Sequence, residues 1–228
     1  MTPTPLHPSQ APPAGSTGAA APDLAAAQAL YQRRAAHYDA ELSAFEPLRQ
    51  QAISALALQP GETVLDLGCG TGLSLPLLAQ AVGRRGRVLG VEPCAQMMAH
   101  AWQRVDTLNL RQVALLENEA AKAPLALAPL ADAALFHFTH DVLQQPEALA
   151  HVLAHLKPGA RVVACGLQWA PWWAWSCNAW VLGAALYSTT TLTHLHAPWQ
   201  QLADALPGLE VQPCWFGTVF VAHGTVPA

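Results

Sequence analysis

Charge is what this chain has least of. Only 11 % of its 228 residues are Asp, Glu, Lys or Arg, less than half the usual share of about 25 %. The formal net charge is −4 and the cations form no evident cluster. That argues against a broad positive face of the kind that holds nucleic acid. No Asp, Glu, Lys or Arg occurs from Val162 to Ala203, and no Lys or Arg follows Arg161. Cysteine is sparse too. Cys69, Cys94, Cys165, Cys177 and Cys214 are odd in number, widely spaced and without a CxxC pair. This speaks against a disulfide framework or a zinc site and suits a reducing cytoplasm. No basic segment followed by an apolar one stands near Met1, so no signal peptide is expected.

What is present is apolar. The 52 % of hydrophobic residues can fill the core of one α/β domain, since a chain this long buries roughly 70 % of its unfolded surface. Seven of the eight tryptophans fall between Trp169 and Trp215, so the last third is both apolar and aromatic.

Residues 1–22 carry six prolines among Ala, Ser, Thr and Gly and read as a disordered tail. Residues 23–228 read as one domain, opened by a helix that Asp23 can cap and a second helix over Pro47–Leu58. From Glu62 the pattern alternates. ETVLDLG, GRVLGVE, RQVALLE, ADAALFHF and ARVVACGL are short apolar runs, with LSLPLLAQAV, CAQMMAHAWQRV and PEALAHVLAHL as helices between them. Such alternation predicts a doubly wound sheet of parallel strands. After it comes a helix, PWQQLADALP. LEVQPCWF and TVFVAHGT then sit close together across Gly217, which predicts an antiparallel hairpin at one sheet edge.

The segment Val64–Gly72, VLDLGCGTG, carries the chemistry. An apolar strand delivers Asp66 at its end, followed by Gly68, Gly70 and Gly72 and then a helix. Glycine permits a tight turn and a close backbone approach, and the helix start offers free N–H groups. A dinucleotide turn would need its third glycine where Leu73 stands. Asp66 would also repel the pyrophosphate that such a turn holds; it suits a ligand with an ammonium and a sulfonium. Glu92, twenty residues past Gly72 at the end of the second strand, is placed to accept both hydroxyls of a ribose.

These residues resemble the class I S-adenosylmethionine-dependent methyltransferases, and within them the ubiquinone/menaquinone-biosynthesis-like group, over about residues 28–165. The resemblance implies a Rossmann-like, seven-stranded sheet, mostly parallel with the C-terminal hairpin antiparallel. It implies S-adenosylmethionine as cofactor, Tyr38 of the Tyr38-Asp39 pair closing over it, Met97 near the adenine, and Glu119 at the adenine amino group. Glu119 stands where the family has Asp, so that carry-over rests on chemistry rather than identity.

Methyl transfer depends mainly on alignment and exclusion of water, helped in some reactions by a base. Candidate bases follow the fourth strand: His140 beside Asp141, and His137. Asp141 as a helix cap and the histidines as structural groups are the competing readings. His194 and His196 lack a third ligand, so no metal site is expected. About residues 169–200 are expected to cover an acceptor pocket for a small apolar or aromatic molecule. No integral membrane segment is expected, while a peripheral membrane or dimer contact stays open. Three functions compete: a methyltransferase, a non-catalytic module that keeps the fold, and an NAD-dependent oxidoreductase, which Leu73 and Asp66 oppose.

Overall fold

The computed structural model describes residues 39, 42–125, 130–188, 192 and 194–227. The N-terminal tail, most of the first expected helix and Tyr38 lie outside them.

Seven strands form one sheet: β1 (Thr63–Leu67), β2 (Arg87–Val91), β3 (Val113–Leu116), β4 (Ala131–His137), β5 (Leu156–Leu167), β6 (Glu210–Cys214) and β7 (Val219–Thr225). Their order is β3-β2-β1-β4-β5-β7-β6. The first five run parallel, while β7 lies antiparallel between β5 and β6. The expected fold is therefore the observed one. The last strand is interior and β6 forms the edge, where Pro213, which has no N–H to give, is tolerated. β5 begins earlier than ARVVACGL suggested, because Lys157-Pro158-Gly159 is drawn into the sheet at an irregularity opposite Ala131 and Ala133.

The helices are α1 (Glu46–Ala55), α2 (Leu75–Val82), α3 (Ala95–Thr107), α4 (His140–Leu143), α5 (Pro146–Leu153), α6 (Trp175–Ser188) and α7 (Gln200–Ala205). They divide the core in two. Leu48 and Ile53 of α1, Leu78 of α2 and Met98 of α3 pack with Val64, Leu135 and Val163. Leu149 of α5 and Leu202 of α7 pack with Leu65, Leu67, Phe136 and Phe220.

Strand side chains alternate between faces, and this parity places the site. Val64 faces α1 and α2 while Leu65 and Leu67 face away, so Asp66 points toward α1. On β4, Ala133 and Leu135 face that same side, and His137 follows them in step. Two carboxyl-end side chains from neighbouring strands thus meet beneath one helix.

The cations are less scattered than the sequence suggested. Arg84, Arg85, Arg87 and Arg111 line one groove of about 930 Å³, because GRRGR enters β2 beside the turn that enters β3.

Candidate functional site

The turn after β1 is built on left-handed glycines. Gly68, Gly70 and Gly72 have φ of +64°, +56° and +80°. A Cβ on Gly68 would stand 2.4 Å from the Thr139 Cγ2, and one on Gly72 2.7 Å from the Leu75 Cδ1. Both conformation and space therefore require glycine at these two positions. Glu92 fixes the loop to the end of β2: its carboxylate accepts the Gly70 N–H at 3.0 Å and the Cys94 N–H at 2.9 Å. A carboxylate oxygen accepts more than one bond, so the group keeps capacity for ligand hydroxyls. Burial raises the Glu92 carboxyl to about 7, against the lowering effect of those two amides.

Asp66 lies at the centre. It is 1 % exposed, and its Oδ2 is buried without a partner. Burial raises its carboxyl to about 7, moderated by the Arg49 guanidinium. Arg49, also buried, donates to Glu46 at 2.9 Å and to the Ser74 hydroxyl at 3.1 Å, while its Nη2 has no partner. His137 presents a third unpartnered atom, Nε2. Its ring stands edge-on to Phe138 at 4.9 Å. Burial, then the nearby Arg49 charge, depresses its pKa to about 3, so it is neutral at physiological pH. Asp66, Arg49 and His137 line one cavity of about 20 Å³ beneath Leu42 and Phe138. Such a space holds one water-sized group, so a larger ligand enters only if lining side chains such as Leu42 or Phe138 move.

Three orphaned polar atoms in one cavity are uncommon, since buried polar groups are nearly always paired. A carboxylate beside a guanidinium suits the two ends of an amino acid: ammonium toward Asp66, carboxylate toward Arg49. With the buried Glu92 carboxylate on the same loop, the residues fit a nucleoside that carries a free amino acid, such as S-adenosylmethionine.

The other expected site residues separate. Asp39 joins the glycine loop by accepting the Thr71 hydroxyl and pairing with Arg104, which also donates to the Thr71 carbonyl. His140 and Asp141 do not form a dyad. The His140 Nε2 bonds the Leu167 carbonyl at 2.9 Å, and the Asp141 carboxyl takes its own amide and that of Val142. Met97 is buried in the first turn of α3 at 1 % exposure. Glu119 pairs with Lys122 at 2.8 Å. His196 stands 6.4 Å from the Trp169 ring. Among the described residues no group of three His, Cys, Asp or Glu is gathered as for a metal.

Arg49 was missed in the sequence, although a signal existed: it shares the apolar spacing of Leu48, Ala52 and Ile53 on the buried side of α1. Thr71 and Arg104 gave no such signal, because only folding brings them to Asp39.

The fold is similar to that of solved S-adenosylmethionine-dependent methyltransferases. Residues 64–159 match the methyltransferase domain family. The chain is similar to the 2-phytyl-1,4-naphtoquinone methyltransferase of Thermosynechococcus vestitus, 35 % identical over 139 residues, 59 % of this chain and 61 % of that one. It is also similar to the demethylmenaquinone methyltransferase of Bacillus cereus, 30 % identical over 115 residues, 50 % of this chain and 48 % of the other. The matched region thus spans half to three-fifths of these relatives. A SAM-dependent methyltransferase from Aquifex aeolicus superposes with a TM-score of 0.56 at 23 % identity, over 78 % of this chain and 89 % of that one. The N-methyltransferase NodS of Bradyrhizobium japonicum does so with 0.58 at 18 %, over 82 % and 98 %.

Proposed function

We propose that this protein transfers a methyl group from S-adenosylmethionine to a small, apolar, quinone-like acceptor. The observation that carries the reading is the buried Asp66 carboxylate, its Oδ2 without a partner, at a left-handed glycine loop. The similarity to two quinone methyltransferases supports the acceptor class. Five free thiols support a cytoplasmic setting, and no described helix is long and apolar enough to cross a membrane.

The cofactor supplies an electrophilic methyl group on a sulfonium. Asp66 holds the ammonium, Arg49 the carboxylate and Glu92 the ribose hydroxyls. Tyr38, Met97 and Glu119 stay in the proposed cofactor set on the family resemblance. His137 stands at the carboxyl end of β4, beside the loop. An imidazole with a pKa near 3 is a weak base. Its part is to accept a hydrogen bond from a hydroxyl of the reduced, quinol form of the acceptor and so orient the ring. His140 and Asp141 shape the same strand end from behind, through the Leu167 carbonyl and the Val142 amide.

Calorimetric titration with S-adenosylmethionine, S-adenosylhomocysteine and NAD tests the cofactor, and turnover on substituted naphthoquinols tests the acceptor. Binding of the first two and not the third is expected. His137→Leu should slow turnover about 10- to 100-fold, the cost of one buried hydroxyl left unpaired. A folded sample that binds neither methyl donor nor product would return the chain to the non-catalytic reading.

A further inference from the structure

The aromatic last third buries Phe220 but leaves several of its other large rings outside the core. α6 is apolar on every side, as helices in cores or membranes are. Yet among its described side chains only Val181 and Ala185 are fully buried, while Trp175 is 78 % and Leu186 64 % exposed. Trp172 and Trp173, in the turn before α6, are 89 % and 67 % exposed. Phe216, in the turn between β6 and β7, is 91 % exposed.

That second turn is held in an unfavourable shape. Trp215 and Phe216 have φ of +46° and +57°, a left-handed conformation that large side chains avoid. Its surroundings impose it. The Thr218 hydroxyl donates to the Trp215 carbonyl at 2.7 Å, and the Gln168 amide donates to the Gly217 carbonyl at 3.0 Å. A Cβ on Gly217 would meet the Pro171 ring at 3.2 Å, so the two aromatic turns adjoin. Strain kept by surrounding bonds marks a functional segment, and here it drives a phenyl ring into solvent.

We infer that Trp172, Trp173, Trp175, Leu186 and Phe216 dock this protein on the surface of a lipid bilayer. Tryptophan favours the boundary between hydrocarbon and water. Side chains standing on turn tips can enter a fluid layer, whereas a protein interface needs a matched face with a polar rim. Charge agrees. No charged residue occurs from Val162 to Ala203. The arginine groove opens among the starts of β1, β2 and β3, at Thr63, Arg87 and Val113, while the aromatic turns follow the end of β5. Docking therefore works by insertion of apolar groups and not by attraction to anionic lipid.

The patch leads to the site. Phe45 stacks on Trp180 at 6.2 Å and on Trp215 at 5.2 Å, and meets Phe138 edge-on at 5.2 Å. Phe138 closes the Asp66 cavity. This extends the proposed function: an acceptor dissolved in the bilayer reaches the cofactor along the rings of Trp215, Trp180, Phe45 and Phe138.

The test uses the full chain and vesicles of neutral phosphatidylcholine, some with brominated acyl chains that quench tryptophan. Binding with quenching is expected, and it should persist in about 1 M salt, where the Debye length is about 3 Å. Trp172→Ser with Phe216→Ser should weaken partitioning about 100-fold, roughly tenfold for each buried ring lost. Arg84→Gln with Arg85→Gln should change nothing. Absent binding to neutral vesicles, binding unaffected by the aromatic double variant, or binding only to anionic vesicles and lost in salt would overturn the docking. So would a dimer broken by that variant without any vesicle binding. Cofactor titration on the same samples keeps the two ideas apart, because both substituted residues lie outside the cofactor cavity. Vesicle binding without S-adenosylmethionine binding would sink the proposed function alone.

Discussion

At the scale of single residues, Asp66 decides how the site responds to pH. Its carboxyl is raised to about 7 by burial in the free protein, and an incoming ammonium favours the ionised form. Binding therefore releases a proton below pH 7. Affinity for S-adenosylmethionine should rise with pH between about 5 and 7, by at most tenfold per unit for this group, and level off above. Glu92, also near 7, adds to the slope if it takes the ribose. Asp66→Asn should weaken binding and remove its share of the pH dependence. Calorimetry in buffers of different ionisation enthalpy counts the protons, and a pH-independent affinity in the native chain would refute the assignment. The sequence put Asp66, the three glycines and Glu92 in one reading, because acid, glycines and spacing form a local pattern. It ranked His140 above His137, and the structure places only His137 in the cavity. Strand parity carries His137 toward α1, while His140 begins α4 and turns to the Leu167 carbonyl. A string such as HFTHD does not say where the strand stops.

At the scale of elements, the pairing of β7 with β5 makes the hairpin structural. Phe220 is fully buried on β7, with its ring 5.0 Å from Trp199 and 6.5 Å from His140. Phe220→Ala should cost about 3–5 kcal/mol of stability, read from the denaturant midpoint with the slope unchanged. A loss below about 1 kcal/mol would mean that the hairpin packs less firmly than its burial implies. The hairpin was legible because LEVQPCWF and TVFVAHGT lie on either side of a glycine. That β7 rather than β6 sits inside was signalled only by Pro213, which suits an edge strand. The length of β5 was not legible. Lys157-Pro158-Gly159 reads as a turn, and only the register with β4 draws it into the sheet.

At the scale of the molecule, buried titrating groups oppose one another. Burial raises Asp66, Glu92 and Asp141, so between about pH 4.5 and 7 the folded state holds protons that the unfolded chain has lost. Stability then falls as pH rises. Burial lowers His137 and His140, so below about 6.5 the unfolded chain holds the extra protons and stability rises with pH. The two linkages act in opposite directions between about pH 4.5 and 6.5. His137→Gln removes one rising component and should steepen the fall in stability from pH 4.5 to 6.5, measured by denaturant unfolding at fixed pH steps. An unchanged slope would mean that His137 titrates near its ordinary value.

The sequence by itself determined the alternation of elements, the seven strands with their antiparallel close, and the glycine loop with its two acids. Each of these is written in residues near one another, where periodicity and steric freedom act. Tertiary structure alone decided that Arg49 and His137 share a cavity with Asp66, that Asp39 reaches Thr71 and Arg104, that four arginines line one groove, and that Trp172, Trp173 and Trp175 face outward. Those outcomes depend on which strand faces meet which helix and on how much surface the core can take in, and neither is fixed until the chain has closed on itself.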